Sequence, residues 1–218
     1  LPHEQLSSYL MKIAILDSIL SNLCRDLWML SMIGYIFFPP SIGEVHSSTM
    51  PHKSNPVLIE NGEGSFDLAS EILSYMSRRL LSNRLHRDLS DSVIKRFYGL
   101  PLSLTYMGLQ NLIVSLDKMQ VNREIMSSDV KKYPEILSEA YQVYLRKRGH
   151  PQAYEIIHRL IRENPEKIVE ELGKLLPIEE FEDLARLSPS EYLGVAEKIV
   201  RMLTQEIEEI KYRISMLD

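Results

Sequence analysis

The stretch EQLSSYLMKIAILDSILSNLCRDLWMLSMIGYI, residues 4–36, decides the fold class of this chain. Its apolar residues recur at steps of three and four, the period of one face of an α-helix. They are Leu6, Leu10, Ile13, Leu16, Leu20, Leu23, Leu27 and Leu30. The pattern therefore predicts one long amphipathic helix from about residue 4 to residue 36.

Two further stretches predict long helices that accompany the first one. In residues 57–83 the same spacing recurs, with an apolar face made by Phe66, Ala69, Leu73, Met76 and Leu80. Residues 93–119 predict a third helix, bent at Pro101 because proline lacks the N–H that the helix needs. Three long helices in succession indicate part of an extended helix bundle.

Beyond residue 121 the predicted helices become short. They cover about residues 129–148, 150–162, 165–174, 179–186 and 193–214. The chain is therefore predicted to be all-α, with a long-helix bundle segment at residues 1–121 and a small helical domain at residues 122–218. A polar loop at residues 39–56 joins the first two long helices.

Composition excludes several classes of protein. The formal net charge of −5 argues against a nucleic-acid binder. The apolar run at residues 27–38 is too short to span a membrane. The single cysteine, Cys24, lies in an apolar helical stretch, so we expect a buried thiol, no disulfide and a cytoplasmic location. Neither a metal site nor an organic cofactor is expected, since no ligand cluster or glycine-rich phosphate loop is visible.

The loop sequence HSSTMPHKSNP, residues 46–56, carries the densest chemistry in the chain. Asn55 and Pro56 predict a helix N-cap followed by the first helical residue. A helix N-terminus favours an anion, and Lys53 adds a positive charge beside it. A serine hydroxyl becomes a useful base only where such groups stabilise its alkoxide. The loop is thus predicted to bind a carboxylate and to hold a reactive serine.

A second polar motif, RLHRDLSDSVIKR, follows at residues 84–96. Its Arg87, Ser92 and Arg96 are spaced so that a turn and a helix start could direct them at one phosphate. The alternative is structural: Ser90 or Asp91 would cap a helix and the arginines would form surface ion pairs.

The two motifs together resemble a known enzyme family. The pattern SSxMPxKxNP of residues 47–56 is similar to the signature of the fumarase/aspartase superfamily, whose members release fumarate. RDLSDS at residues 87–92 and VNRE at residues 121–124 resemble the adenylosuccinate lyase branch. Further similarity, at residues 149–160 and 191–196, extends the resemblance over essentially the whole chain.

The resemblance implies a role for each site residue. In this family the first serine of the pair removes a carbon-bound proton, which implies Ser47 as the base and Ser48 as the alternative. The remaining implied roles are substrate binding by Met50, carboxylate binding by Lys53 and Asn55, support of a catalytic histidine from another subunit by Glu60, and phosphate binding by Arg87, Ser92 and Arg96. One departure is His46, which stands where the family usually has glycine.

The resemblance also implies an activity and an assembly. The activity would be β-elimination of fumarate from adenylosuccinate, giving AMP, and from the succinyl-carboxamide intermediate of purine synthesis. The family forms homotetramers whose active sites are shared between subunits, and its catalytic histidine lies ahead of the matched region. We therefore expect this chain to be a C-terminal portion, inactive by itself.

Two alternatives to this activity are a sibling lyase acting on argininosuccinate, fumarate or aspartate, and a non-catalytic helical assembly module. The phosphate set argues against the sibling lyase, and retention of Ser47 and Lys53 argues against the module.

Overall fold

The structure, a computed structural model, describes residues 3–39, 55–85, 89–163 and 167–216. It is almost entirely helical in these residues, which confirms the predicted all-α class. By its internal contacts the chain divides into two compact units, Leu1–Arg123 and Glu124–Asp218.

The first unit is built from three long helices and one short one. These are α1 (Glu4–Met32), α2 (Val57–Leu80), α3 (Asp91–Lys95) and α4 (Gly99–Lys118). Two strands of two residues each complete it, β1 (Ile36–Phe37) and β2 (Gln120–Val121), which pair antiparallel. The helix α2 packs against both α1 and α4 and is the central element of the unit.

Helices α1 and α2 run antiparallel, as contacts near their opposite ends show. Trp28 of α1 contacts Glu60 near the start of α2, whereas Ser7 near the start of α1 contacts Ser77 near the end of α2. The apolar stripe predicted for α2 is the buried one, with Phe66, Ala69, Leu73, Met76 and Leu80 almost fully excluded from solvent.

The packing of α2 against α4 depends on a glycine. A Cβ at Gly108 would lie 2.7 Å from the ring of Phe66, well inside van der Waals contact. Gly62 also faces a neighbour, since its Cβ would meet Cys24 Sγ at 3.5 Å, while a Cβ at Gly64 would meet nothing. Gly108 therefore sets how closely α2 and α4 approach.

Three predicted helix boundaries were wrong. The first helix ends at Met32 instead of near residue 36, because Gly34 adopts a left-handed conformation (φ 81°) and the chain turns into β1. The third helix is broken, not bent: α3 ends at Lys95, and Pro101 lies in the first turn of α4, where a missing N–H costs little. The predicted helix at residues 129–148 is interrupted near Pro134.

The second unit contains short helices with their own core, followed by one longer helix. They are α5 (Arg123–Lys132, which begins in the first unit), a 3₁₀ turn (Pro134–Leu137), α6 (Ser138–Lys147), α7 (Ala153–Glu163), α8 (Ile168–Leu175), α9 (Ile178–Ala185) and α10 (Ala196–Ser215). Side chains of the 3₁₀ turn, α6, α7, α8 and α9 form the core, with Tyr141, Leu145 and Leu172 among the most deeply buried. No residue of α10 is buried. Among the described residues, no helix combines the length and apolar character needed to cross a membrane.

A buried carboxyl group lies between α1 and α4. Asp17 is completely excluded from solvent, and the Thr105 hydroxyl donates a hydrogen bond of 2.9 Å to its Oδ2. Its Oδ1 has no hydrogen-bond partner. Burial raises the pKa of Asp17 to about 6, although the hydrogen bond from Thr105 acts in the opposite direction.

The raised pKa of Asp17 predicts that Asp17→Asn stabilises the chain at neutral pH. An acid whose pKa is raised on folding costs stability when it is ionised, so the cost appears as pH rises from about 4 through 6. We expect the free energy of unfolding of the variant to exceed that of the original chain by up to about 3 kcal/mol at pH 7.5 and by little at pH 4. Urea unfolding at both pH values measures this gain. Asp26→Asn, an exposed acid of the same helix, is the control, and an equal gain in that control would contradict the explanation.

Candidate active site

The N-terminus of α2 lies where the signature loop enters the bundle. The helix begins at Val57, with Pro56 as its N-cap residue at φ −77° and ψ 64°. The prediction of Asn55 as N-cap and Pro56 as the first helical residue was therefore off by one position, because this ψ of Pro56 is not helical. Asn55 is exposed, and its carbonyl accepts a hydrogen bond of 2.9 Å from the Val57 N–H.

Glu60 lies in the first turn of α2 and is held from α1. The indole Nε1–H of Trp28 donates a hydrogen bond of 3.0 Å to Glu60 Oε1. Both side chains are partly exposed, so the carboxylate has one fixed oxygen and remains open to solvent on its outer side. This arrangement orients Glu60 without burying it.

Further polar contacts between α1 and α2 continue from this one. Together they form a polar seam that comprises Ser21, Arg25 and Trp28 of α1 and Glu60, Glu63 and Asp67 of α2. Arg25 donates to Glu63 Oε1 at 2.7 Å and to Asp67 Oδ2 at 2.6 Å, and the Ser21 hydroxyl donates to Asp67 Oδ1. One arginine thus links two acids that are four residues apart on α2. Since bidentate arginine contacts are directional, the network fixes the register of α1 against the start of α2.

The polar seam is not predicted from the sequence, although the regular spacing of its residues is visible there. On α1 the spacing is four and then three residues, at Ser21, Arg25 and Trp28. On α2 it is three and then four residues, at Glu60, Glu63 and Asp67. Each set lies on one helix face. The sequence alone does not say that the two faces meet, because that depends on the register of two antiparallel helices.

Cys24 lies directly behind the seam and is fully buried, as predicted. Burial, with smaller contributions from the negative charges of Glu63 and Asp67, raises the pKa of its thiol to about 11. A thiol with this pKa is protonated at neutral pH and is a poor nucleophile. Cys24 is therefore a core residue and no part of the candidate chemistry.

Several of the predicted site residues lie outside the described part of the chain. These are Ser47, Ser48, Met50 and Lys53 of the signature loop, and Arg87 of the second motif. Of the predicted site residues, the structure describes Asn55 two residues before α2, Glu60 in the first turn of α2, Ser92 in α3 and Arg96 at the C-cap of α3.

The second motif forms a short helix with an exposed side. Ser92 and Arg96 are four residues apart, in α3 and at its C-cap, and both are exposed. Asp91 accepts hydrogen bonds from Lys95 Nζ at 2.7 Å and from His3 Nε2 at 3.2 Å. The charge and hydrogen bond of Lys95, together with those of His3, lower the pKa of Asp91.

The structural alternative for this motif, with Ser90 or Asp91 as a helix cap and the arginines in surface ion pairs, is therefore partly present. Ser90 precedes α3 as its N-cap residue, but its side chain makes no capping hydrogen bond and instead accepts one from Arg79. Asp91 is engaged in ion pairs with Lys95 and His3. These contacts anchor α3 while leaving the side that carries Ser92 and Arg96 open.

Comparison with known proteins identifies relatives of this chain. The family model described as adenylosuccinate lyase C-terminal matches residues 83–193, just over half of the chain, and a model described as lyase matches residues 2–67. The adenylosuccinate lyase of Legionella pneumophila (strain Corby) is 32% identical over 206 residues, covering 92% of this chain and 45% of the relative. That of Buchnera aphidicola subsp. Baizongia pistaciae is 32% identical over 211 residues, covering 95% and 46%.

A solved structure shares the fold. The 3-carboxy-cis,cis-muconate lactonizing enzyme of Pseudomonas putida superposes with a TM-score of 0.71 at 24% identity, over 96% of this chain and 49% of that one. The chain spans about half the length of the curated relatives it matches. On the match of the family model and the agreement of the fold, the chain belongs to the adenylosuccinate lyase C-terminal family.

Proposed function

We propose that this chain supplies part of the active site of an adenylosuccinate lyase, which eliminates fumarate from adenylosuccinate to give AMP. The same site would cleave the succinyl-carboxamide intermediate of purine synthesis. The observation that carries the proposal is 32% identity to curated adenylosuccinate lyases over nearly the whole chain. Because the chain spans about half of those relatives, the reaction is proposed for the complete enzyme.

The proposed chemistry begins at the signature loop. Ser47, as its alkoxide, removes the proton from the carbon next to a succinyl carboxylate, with Ser48 as the alternative base. Lys53, Asn55 and the N-terminus of α2 stabilise the negative charge that develops on that carboxylate, and Met50 contacts the substrate. The carbon–nitrogen bond then breaks, and a histidine from outside these 218 residues protonates the departing nitrogen.

Glu60 has a positioning role in this scheme. Its carboxylate accepts a hydrogen bond from the incoming histidine and so holds that ring against the leaving nitrogen. The support for this role is the contact with Trp28, which fixes one oxygen of Glu60 and leaves the side chain partly open to solvent.

The nucleotide phosphate is assigned to the second motif. Arg87, Ser92 and Arg96 would supply two guanidinium groups and a hydroxyl, which suit phosphate oxygens. The support is that Ser92 and Arg96 are both exposed and one helix turn apart on α3. Lys95 lies next to Arg96 but is engaged with Asp91, so it is not part of this set.

We assign the enzyme to a homotetramer in the cytoplasm. The support for assembly is that the long helices of the first unit keep apolar side chains exposed, among them Ile15 and Ile19 of α1 and Tyr106, Met107 and Ile113 of α4. Such patches ordinarily mark interfaces. Shared sites require assembly, so dilution of the protein below the dissociation constant of the assembly would abolish turnover.

Replacement of the base tests the proposed reaction. In the polypeptide encoded by the natural gene, Ser47→Ala is expected to lower the rate of fumarate release from adenylosuccinate by about 10²–10⁴-fold, the usual contribution of a general base. Ser48→Ala is the matched control and should retain most of the rate. The reverse pattern would transfer the role of base to Ser48, and full activity in both variants would refute the mechanism.

Removal of the indole donor tests the role of Glu60. Trp28→Phe should lower kcat about fivefold with little change in KM, since one partly exposed hydrogen bond contributes about 1 kcal/mol. It should also shift the pH dependence of kcat, which a loss of packing alone would not do. In a Glu60→Gln background the Trp28 substitution should have no further effect. Additive losses in the double variant would show that Trp28 acts independently of Glu60.

The phosphate assignment predicts a change in binding. Arg96→Gln should raise KM for adenylosuccinate about tenfold or more, because a charge-assisted hydrogen bond contributes about 1.5–3 kcal/mol. Lys95→Gln removes an adjacent cation and should leave KM nearly unchanged. Steady-state kinetics on the complete enzyme separates the two. Equal effects of both substitutions would indicate general charge attraction instead of a phosphate contact.

A further inference from the structure

The last helix, α10, is the one long element of the second unit that takes no part in its core. None of its 20 residues is buried. The family model ends at Leu193, three residues before the helix begins. The helix is nevertheless strongly amphipathic: five apolar residues, each 51–61% exposed, recur along it at Val200, Leu203, Ile207, Ile210 and Ile214. An apolar stripe of this kind is ordinarily covered by another element.

The spacing of the stripe is that of a coiled coil. The steps are three, four, three and four residues, which is the seven-residue repeat with apolar a and d positions. Val200, Ile207 and Ile214 occupy the a positions, and Leu203 and Ile210 the d positions. All three a residues are β-branched and Leu203, one of the two d residues, is leucine, the combination that favours two parallel strands; the other d residue is Ile210.

The residues beside the stripe fit a second copy of the same helix. In a parallel, in-register pair, each g position faces the e position of the following heptad on the other strand. Glu206 at g would therefore face Lys211 at e of the second copy, an opposite-charge pair, and the preceding pair, Ile199 and Thr204, is uncharged. Within α10 this register brings no like charges together.

Within one chain, Lys211 Nζ donates a hydrogen bond of 2.7 Å to Glu208 Oε1. Both of these side chains are 66% exposed, and ion pairs so exposed contribute little. Lys211 can therefore exchange this contact for Glu206 of a second helix at small cost. We infer that α10 binds α10 of a second copy of this chain as a parallel two-stranded coiled coil. The inference does not depend on the catalytic proposal, because no site residue lies in α10.

A cysteine cross-link tests the pairing in the 218-residue chain. Leu203→Cys places two thiols at facing d positions of a parallel pair, so mild oxidation should give a covalent dimer on a non-reducing gel. Gln205→Cys, two residues away on the outer face, is the matched control and should stay largely monomeric. The natural cysteine, Cys24, is fully buried and does not compete. Equal cross-linking at the two positions would overturn the inference.

Charge reversal then tests the register. Within the Leu203→Cys chain, Glu206→Lys and Lys211→Glu should each lower the cross-linked fraction about fivefold, since each replaces two opposite-charge pairs by two like-charged pairs. The double reversal should restore the original fraction. If the double variant stays as low as the single ones, the parallel in-register pairing is wrong. Circular dichroism confirms that α10 remains helical in each variant.

Discussion

Burial of the apolar stripe of α2 between α1 and α4 is the constraint on which the first unit depends. Ile59, Phe66, Ala69 and Leu73 of α2 are completely excluded from solvent. Ile59 and Phe66 belong to one apolar cluster of the unit and Leu73 to another. A helix covered on two sides cannot rotate or slide without exposing these residues. The start of α2, with Asn55 and Pro56 directly before it, is consequently held firmly in place. The binding role proposed for Asn55 would gain from this, because a group held in place loses little entropy on meeting a substrate.

The polar seam adds direction to this apolar packing. Arg25 of α1 contacts both Glu63 and Asp67 of α2, and these directional bonds add to the burial that already opposes rotation of the two helices. Trp28 ends the same seam at Glu60, so the side chain assigned to catalysis is the last member of a structural network. The contacts that join α1 to the start of α2 therefore continue in one line to the side chain for which a positioning role is proposed.

The sequence was sufficient for the class of fold and for the long helices, because their apolar periodicity continues over five turns or more. It was not sufficient to predict where the chain breaks between two helices. Pro101 was interpreted as a bend within one helix, whereas it begins a new one, and local sequence does not distinguish these outcomes. The pairing of Ile36–Phe37 with Gln120–Val121 carries no periodic signal, since each strand has two residues. The contact of Trp28 with Glu60 joins residues 32 apart and depends on helix register, which no single-chain pattern encodes.

The close contact of Gly108 with Phe66 has a consequence for interpreting sequence variation in this family. Because even a methyl group at position 108 would collide with an aromatic ring, every other amino acid is disfavoured there. In a survey of tolerated substitutions, Gly108 would appear as restricted as a residue that takes part in the reaction. The cause is steric and lies inside the bundle. A candidate site drawn from substitution patterns alone would thus include this position wrongly, and the distance to Phe66 is what removes it.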